Sequence, residues 1–281
     1  MYNDKDDYRP GMNISQSDSK SPLLFFDTGM GGLSVLSESQ KLLPTAPIVY
    51  AADYAGLPYG MKSEQELASR VPALLGRLVE RYRPQLVTIA CNTASTITLD
   101  YVRSALDIPV VGTVPAVKPA SEMTTSGVIG LLGTEATIRQ PYVDRLANEY
   151  ASDKKLIRYG APDLVFAAEA KLRGEKLNLE TIKSAVGGLL DQAGGSEIDV
   201  IILACTHFPL LQDELQKAVG NGIKFVDGSS GIARRIEYLT RSIMWPERQN
   251  SGVFVTSSDL SGIEAYKSVL ANYGINKFEE L

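Results

Sequence analysis

Cysteine, histidine and tryptophan are nearly absent from this chain: its 281 residues hold two Cys, one His and one Trp. Two thiols allow at most one disulfide, and a chain this long buries enough surface to fold without such a staple. The expectation is therefore two free thiols in a reducing compartment. Cys91, Cys205 and the sole histidine, His207, are three candidate ligands without the CxxC spacing of structural zinc, so no metal is expected. Long apolar runs are missing too. No window reaches the roughly 20 residues of a membrane span, and the opening MYNDKDDYRPGMNISQSDSK lacks the apolar stretch of a signal peptide. A cytoplasmic protein with no membrane partner is the reading. Positive charge is in deficit, 28 Lys and Arg against 33 Asp and Glu, and no basic stripe forms, which argues against nucleic acid as a partner. A small anion stays admissible, because local dipoles and hydroxyls hold anions even on acidic proteins.

With 44% apolar and 22% charged residues, what is present fits a globular chain with room for one large or two modest domains. Residues 1 to 21 are polar and aperiodic, and read as a mobile tail. Beyond them, β-rich apolar runs alternate with amphipathic stretches: LLFF then LSVLSESQKLL, PIVYAA then SEQELASRVPALLGRLVERY, QLVTIA then ASTITLDYVRSAL, and onward through GVIGLLG, IDVIILA and IKFVD. Strands alternating with helices of this length predict βαβ units, a parallel sheet and an α/β fold. Ser63 followed by Glu66 is a capping box. Pro72 and Pro141, each inside a helical pattern, predict a kink or a later helix start.

Three polar clusters stand where strand should give way to helix, the place at which open α/β sheets bind ligands: DTGMGG after LLFF, CNTAS after VTIA, and CTHF after IILA. In the first, Asp27 and Thr28 bring a carboxylate and a hydroxyl, and Gly29, Gly31 and Gly32 permit a tight turn with exposed N–H groups; a plain strand-to-helix turn would need no more. The stretch is neither a Walker loop nor GxGxxG, so a nucleotide fold gains no support. Taken singly, each cysteine reads as a buried core residue. Taken together they differ from that, because both follow an apolar strand and precede a helical pattern, 114 residues apart, as two similar α/β halves would place them. At a helix start, backbone N–H groups would stabilise a thiolate. Asn92, Thr93 and Thr206 offer hydrogen bonds to a small polar ligand. His207 could share a proton with Cys205, and Asp27 could serve Cys91, unless Asp27 only caps the helix near Leu33. A cysteine hydrolase would leave one thiol unexplained, and a redox pair would sit in CxxC. Two separate thiols suit removal of a proton from one face of a carbon and its return to the other.

At these residues the chain resembles the glutamate racemases of the Asp/Glu racemase superfamily. The matching stretches are FFDTGMGGLSVL, YAADYAGLPYGMKS, IACNTAST, PVVGTVPAVKPA, ILACTHFPLLQDEL and VDGSSGIARR, in order from about residue 23 to 241. The form of PVVGTVPAVKPA is similar to that of enterobacterial and related Gram-negative members. The resemblance implies two pseudo-symmetric, doubly wound α/β domains with parallel sheets and an active-site cleft between them. Residues 22–115 plus 227–281 would form the first domain and 116–226 the second. It implies a cofactor-independent interconversion of L- and D-glutamate that supplies D-glutamate for peptidoglycan, with Cys91 and Cys205 as the acid/base pair. Asp27, Thr28, Tyr59, Gly60, Asn92, Thr93, Thr206 and His207 would contact the amino acid, Asp27 and His207 would also assist the thiols, and Thr134 and Glu169 are weaker carry-overs. Thr28 stands where the family usually has Ser, and VDGSS replaces the commoner VDSGAA. A homodimer and a cell-wall-precursor nucleotide activator are further candidate partners. Two rivals stay open: a racemase for aspartate or another acidic amino acid, and a two-lobed amino-acid binding protein.

Overall fold

In the computed structural model, which describes residues 20–247 and 251–281, the apolar runs become short strands, buried on both faces except for the last, IKFVD. The tail read over residues 1 to 21 falls, apart from Lys20 and Ser21, outside the described residues. The chain divides into two units, one ending at Thr113 and resuming at Ser229, the other Val114–Gly228.

The first unit carries β1 (Leu23–Asp27), β2 (Ile48–Ala52), β3 (Leu86–Ile89), β4 (Val110–Gly112), β9 (Gly252–Thr256) and β10 (Ile275–Glu280). They form one sheet in the order β10-β9-β2-β1-β3-β4, with every neighbouring pair parallel. Continuous apolar sequence is what a parallel sheet covered on both faces requires, and all of Leu23, Leu24, Phe25 and Phe26 are buried. Each such side chain contributes about 1.5–3 kcal/mol by leaving water. The crossovers run through α1 (Leu33–Leu42), α2 (Glu64–Tyr82) and α3 (Asn92–Ala105), and α10 (Ser229–Thr240) packs on α1.

The second unit holds β5 (Val128–Gly133), β6 (Lys155–Gly160), β7 (Val200–Ala204) and β8 (Lys224–Val226) in the order β6-β5-β7-β8, again all parallel. This order repeats β2-β1-β3-β4 strand for strand. The two units therefore share one doubly wound topology, the first extended by β9 and β10.

Local expectations meet the structure unevenly. Ser63 caps α2 as read, its Oγ accepting from Glu66 N–H at 3.2 Å, while the Glu66 carboxylate takes Lys62 at 2.5 Å. Pro72 does not end α2, which continues through it from Glu64 to Tyr82. Burial of Leu67, Val71, Leu75 and Leu78 along one face outweighs the backbone bond a proline removes. Pro141 marks a later helix start, with α5 (Glu135–Ile138) closing before it and α6 (Pro141–Tyr150) opening on it, where the missing N–H costs nothing. No described helix is long and apolar enough to cross a membrane.

Candidate active site

In both sheets the chain turns left from its first strand and then jumps back across it, so the strand order reverses between β1 and β3 and between β5 and β7. Ligands of open parallel sheets sit beyond the carboxyl ends of the strands at such a reversal. The residues found there are Asp27 and Thr28 after β1, Cys91 after β3, Thr134 after β5 and Cys205 after β7. Phe26 pairs with Ile89 and Gly133 with Ala204, so the register carried forward sets Thr28 level with Cys91 and Thr134 level with Cys205.

Asp27 is fully buried and organises the first turn: Oδ1 accepts from Thr28 N–H at 2.7 Å and Oδ2 from Gly32 N–H at 2.6 Å. Tyr50 fixes the same loop by donating to the Gly29 carbonyl at 2.9 Å. Gly32 has to be glycine, since a Cβ there would stand 2.9 Å from the Ala90 Cβ and 2.9 Å from the Tyr50 hydroxyl. The helix-cap reading of Asp27 thus holds in modified form. The carboxylate reaches over the loop to Gly32, the residue at which α1 begins.

Cys91 is free, 7% exposed, and is itself the N-cap residue of α3, its carbonyl receiving the first helical bond from Ser95 at 2.8 Å. The thiol lies at the positive end of a 14-residue helix, where a thiolate gains the dipole and exposed N–H groups. Asn92 and Thr93 follow it, both buried. Among the described residues Asn92 Oδ1 meets no donor. Buried acceptors are almost always satisfied, so this one stands out beside the thiol.

Cys205, also free and 6% exposed, is surrounded differently. The expectation that it starts a helix fails: a turn through Thr206 and His207 and a 3-10 segment, Phe208–Leu211, intervene before α9 (Gln212–Val219). Pro209 in the next turn and the run Phe208–Leu211, anchored by buried Phe208 and Leu211, delay the α geometry. Instead of a dipole, Cys205 has a histidine. His207 Nδ1 lies 4.0 Å from Cys205 Sγ, and His207 Nε2 lies 2.8 Å from Glu169 Oε1, both partners of that pair being 2% exposed. A carboxylate at Nε2 orients the ring and leaves Nδ1 facing the sulfur. Glu169 stands on α7 (Asp163–Leu172), which is tied to the turn after His207 by Lys171, bonded at 2.8 Å to both the Leu210 carbonyl and Glu214.

Thr134 and Tyr59 are both engaged within the fold. Thr134 caps α5, its Oγ1 accepting from Thr137 N–H at 3.1 Å, so its hydroxyl has structural work. Tyr59 is buried with its hydroxyl turned to Asp53 at 2.6 Å, so it offers a ligand its ring and backbone, next to Gly60 in a 3-10 turn, Tyr59–Met61. Sequence reasoning missed Asp53 and its partners Arg70 and Ser257. The only signal was an aspartate directly after the apolar run IVYAA, the position Asp27 holds after LLFF. Among the described residues, no group of three or more His, Cys, Asp or Glu could hold a metal ion.

The Asp/Glu/Hydantoin racemase family model matches residues 34–235. The chain belongs to that family. It is 61% identical over 259 residues to the glutamate racemase of Sphingopyxis alaskensis, which spans 92% of this chain and 97% of the relative. Among solved structures of the family, glutamate racemase of Escherichia coli, in complex with L-glutamate and the activator UDP-MurNAc-ala, superposes with a TM-score of 0.85 at 38% identity, covering 92% of this chain and 98% of that one. The Bacillus anthracis glutamate racemase isoform RacE1 gives 0.79 at 27% identity over 94% and 98%.

Proposed function

We propose that the protein is a glutamate racemase that interconverts L- and D-glutamate by proton transfer at the α-carbon, without a cofactor, and so supplies D-glutamate to peptidoglycan synthesis in the cytoplasm. One observation carries the reading: in two sheets of identical strand order a cysteine outside any disulfide follows the third strand, one at the start of α3 and the other beside His207. Similarity to glutamate racemases over nearly the whole chain supports glutamate as substrate.

The bond changes balance with two sulfurs. One cysteine, as thiolate, takes the α-proton and becomes a thiol; the other, a thiol, gives its proton to the opposite face and becomes a thiolate. The reverse reaction exchanges their parts. An α-proton is far less acidic than a thiol, so the carbanionic state needs stabilisation from fixed donors. Thr28, Thr93, Thr206 and the N–H groups at the start of α3 suit the α-carboxylate, the orphan acceptor of Asn92 suits the ammonium, and the Tyr59–Gly60 turn is a further contact. Glu169 orients His207 beside Cys205, and Asp27 shapes the loop beside Cys91. A UDP-linked cell-wall precursor of the kind bound to the Escherichia coli protein is proposed as activator.

Incubating L-glutamate with the protein in deuterated water, with no cofactor added, tests the reading. Loss of optical rotation with one deuterium entering the α-carbon is expected, and an unlabelled, unracemised substrate refutes it. Cys91→Ala and Cys205→Ala should each abolish turnover in both directions, by the same circular-dichroism assay.

A further inference from the structure

Asp53 follows β2 and is 1% exposed, yet the chemistry above makes no use of it. Its carboxylate collects four donors. Oδ2 accepts from Arg70 Nε at 2.5 Å and from the Tyr59 hydroxyl at 2.6 Å, while Oδ1 accepts from Arg70 Nη2 at 2.6 Å and from Ser257 Oγ at 2.5 Å. The backbone is held as well, with Asp53 N–H donating to the Asp27 carbonyl at 2.8 Å. Burial alone would push this carboxyl upward, but the donors, Arg70 first, then Ser257 and Tyr59, outweigh it and hold Asp53 below the ordinary carboxylate range. Tyr59 moves the opposite way, raised by burial and by the Asp53 charge, so the phenol remains a donor.

The packing leaves no slack in this cluster. A Cβ on Gly56 would stand 2.4 Å from Asp53 Oδ2, 2.7 Å from Tyr59 Cε1 and 3.0 Å from Arg70 Nε, so only a hydrogen fits. The Tyr59 ring belongs to the same buried cluster as Cys91, and its 3-10 turn packs against α3, which Cys91 caps. The three partner residues come from the 3-10 turn, from α2 and from the position just after β9.

We propose that Asp53 is a positioning residue: through Arg70 and Ser257 it clamps the Tyr59–Gly60 turn against the Cys91 half of the site and thereby sets the affinity for the amino-acid substrate. The inference rests on the reading that this turn meets the substrate. Because the turn touches ground state and transition state alike, loosening it should raise KM more than it lowers kcat.

The test uses the full-length chain and its Asp53→Asn, Tyr59→Phe and double variants. Rates are followed by circular dichroism from both enantiomers, and thermal melts establish that each variant is folded. Expected is a rise in KM of about tenfold for Asp53→Asn and of several-fold for Tyr59→Phe, with kcat within about threefold. The double variant should be no worse than Asp53→Asn alone, since both remove one linkage. KM values within twofold of the parent, a loss confined to kcat, or fully additive losses would overturn the proposal. If Asp53→Asn does not fold, Tyr59→Phe, which removes one oxygen, decides by the same criterion. A parent protein that fails to racemise glutamate refutes the function itself and this inference with it; an active parent with unmoved KM refutes only the inference.

Discussion

Replacing Glu169 by Gln keeps the shape of the side chain and removes its charge from a pair that water does not reach. The His207–Glu169 contact is 2.8 Å and both side chains are 2% exposed, so solvent neither screens the interaction nor replaces it. A hydrogen bond to a charged group contributes about 1.5–3 kcal/mol. At about 1.4 kcal/mol per tenfold, losing that bond is a factor of about 10 to about 150, and on the proposed mechanism kcat/KM should fall by that amount. The fall must be equal from L- and from D-glutamate, because enantiomers have the same free energy in solution and no variant can alter their equilibrium. What distinguishes the directions is the isotope effect. Proton transfer at Cys205 becomes the slow step, so α-deuterated substrate should show an enlarged effect with the enantiomer whose proton Cys205 removes and a diminished one with the other. A variant with kcat/KM within twofold of the parent and unchanged isotope effects would refute the pairing as part of the chemistry.

Gly32→Ala should lower thermal stability by about 1–3 kcal/mol and cut activity, because the new methyl meets Ala90 and Tyr50 at 2.9 Å on the loop that Asp27 ties; a melt within one degree of the parent would contradict this. Pro72→Ala should raise the melting temperature, as it restores a backbone bond in the interior of α2 while leaving the apolar face of the helix untouched. Asp199 accepts from Thr124 Oγ1 at 2.5 Å and from Thr125 and Ser126 N–H at 2.6 and 2.9 Å, which holds its carboxyl well below the ordinary 3.8. With the folded value depressed, its stabilisation is present above pH 3.8 and lost as pH falls below it, so the difference in urea midpoint between parent and Asp199→Asn should be full at pH 7 and shrink toward pH 3.

The sequence announced its central strands because parallel strands covered on both faces must be continuously apolar, as in LLFF, VTIA and VIILA. Strands β4, β6 and β10 escaped for the converse reason. Half-exposed β6 reads KLIRYG and β10 reads INKFEE, with charges at the solvent face, while β4 is only three residues long between prolines. The catalytic candidates were legible because each is local, a reactive residue directly after an apolar run. Glu169 entered only through the family resemblance and Asp53 not at all, since what gives them meaning is a partner 38 residues on for Glu169 at His207, and 17 residues on for Asp53 at Arg70. No short pattern encodes such a pair.

The repeated strand order and the unequal surroundings of the two cysteines belong to one argument. Matching topology supplies two equivalent positions after β3 and β7, which a reaction using both faces of a carbon requires. Equivalence ends there, since Cys91 has the dipole of α3, a fixed field that cannot accept a proton, whereas Cys205 has a titratable ring backed by a carboxylate. A fixed dipole stabilises its thiolate over the whole pH range in which the fold survives; an imidazole does so only while protonated. The half-reaction started by Cys205 should therefore depend on the His207 ring more than the half-reaction started by Cys91 does. Measuring kcat from each enantiomer for His207→Asn would show it as two unequal losses, and equal losses would mean that the ring serves both half-reactions alike.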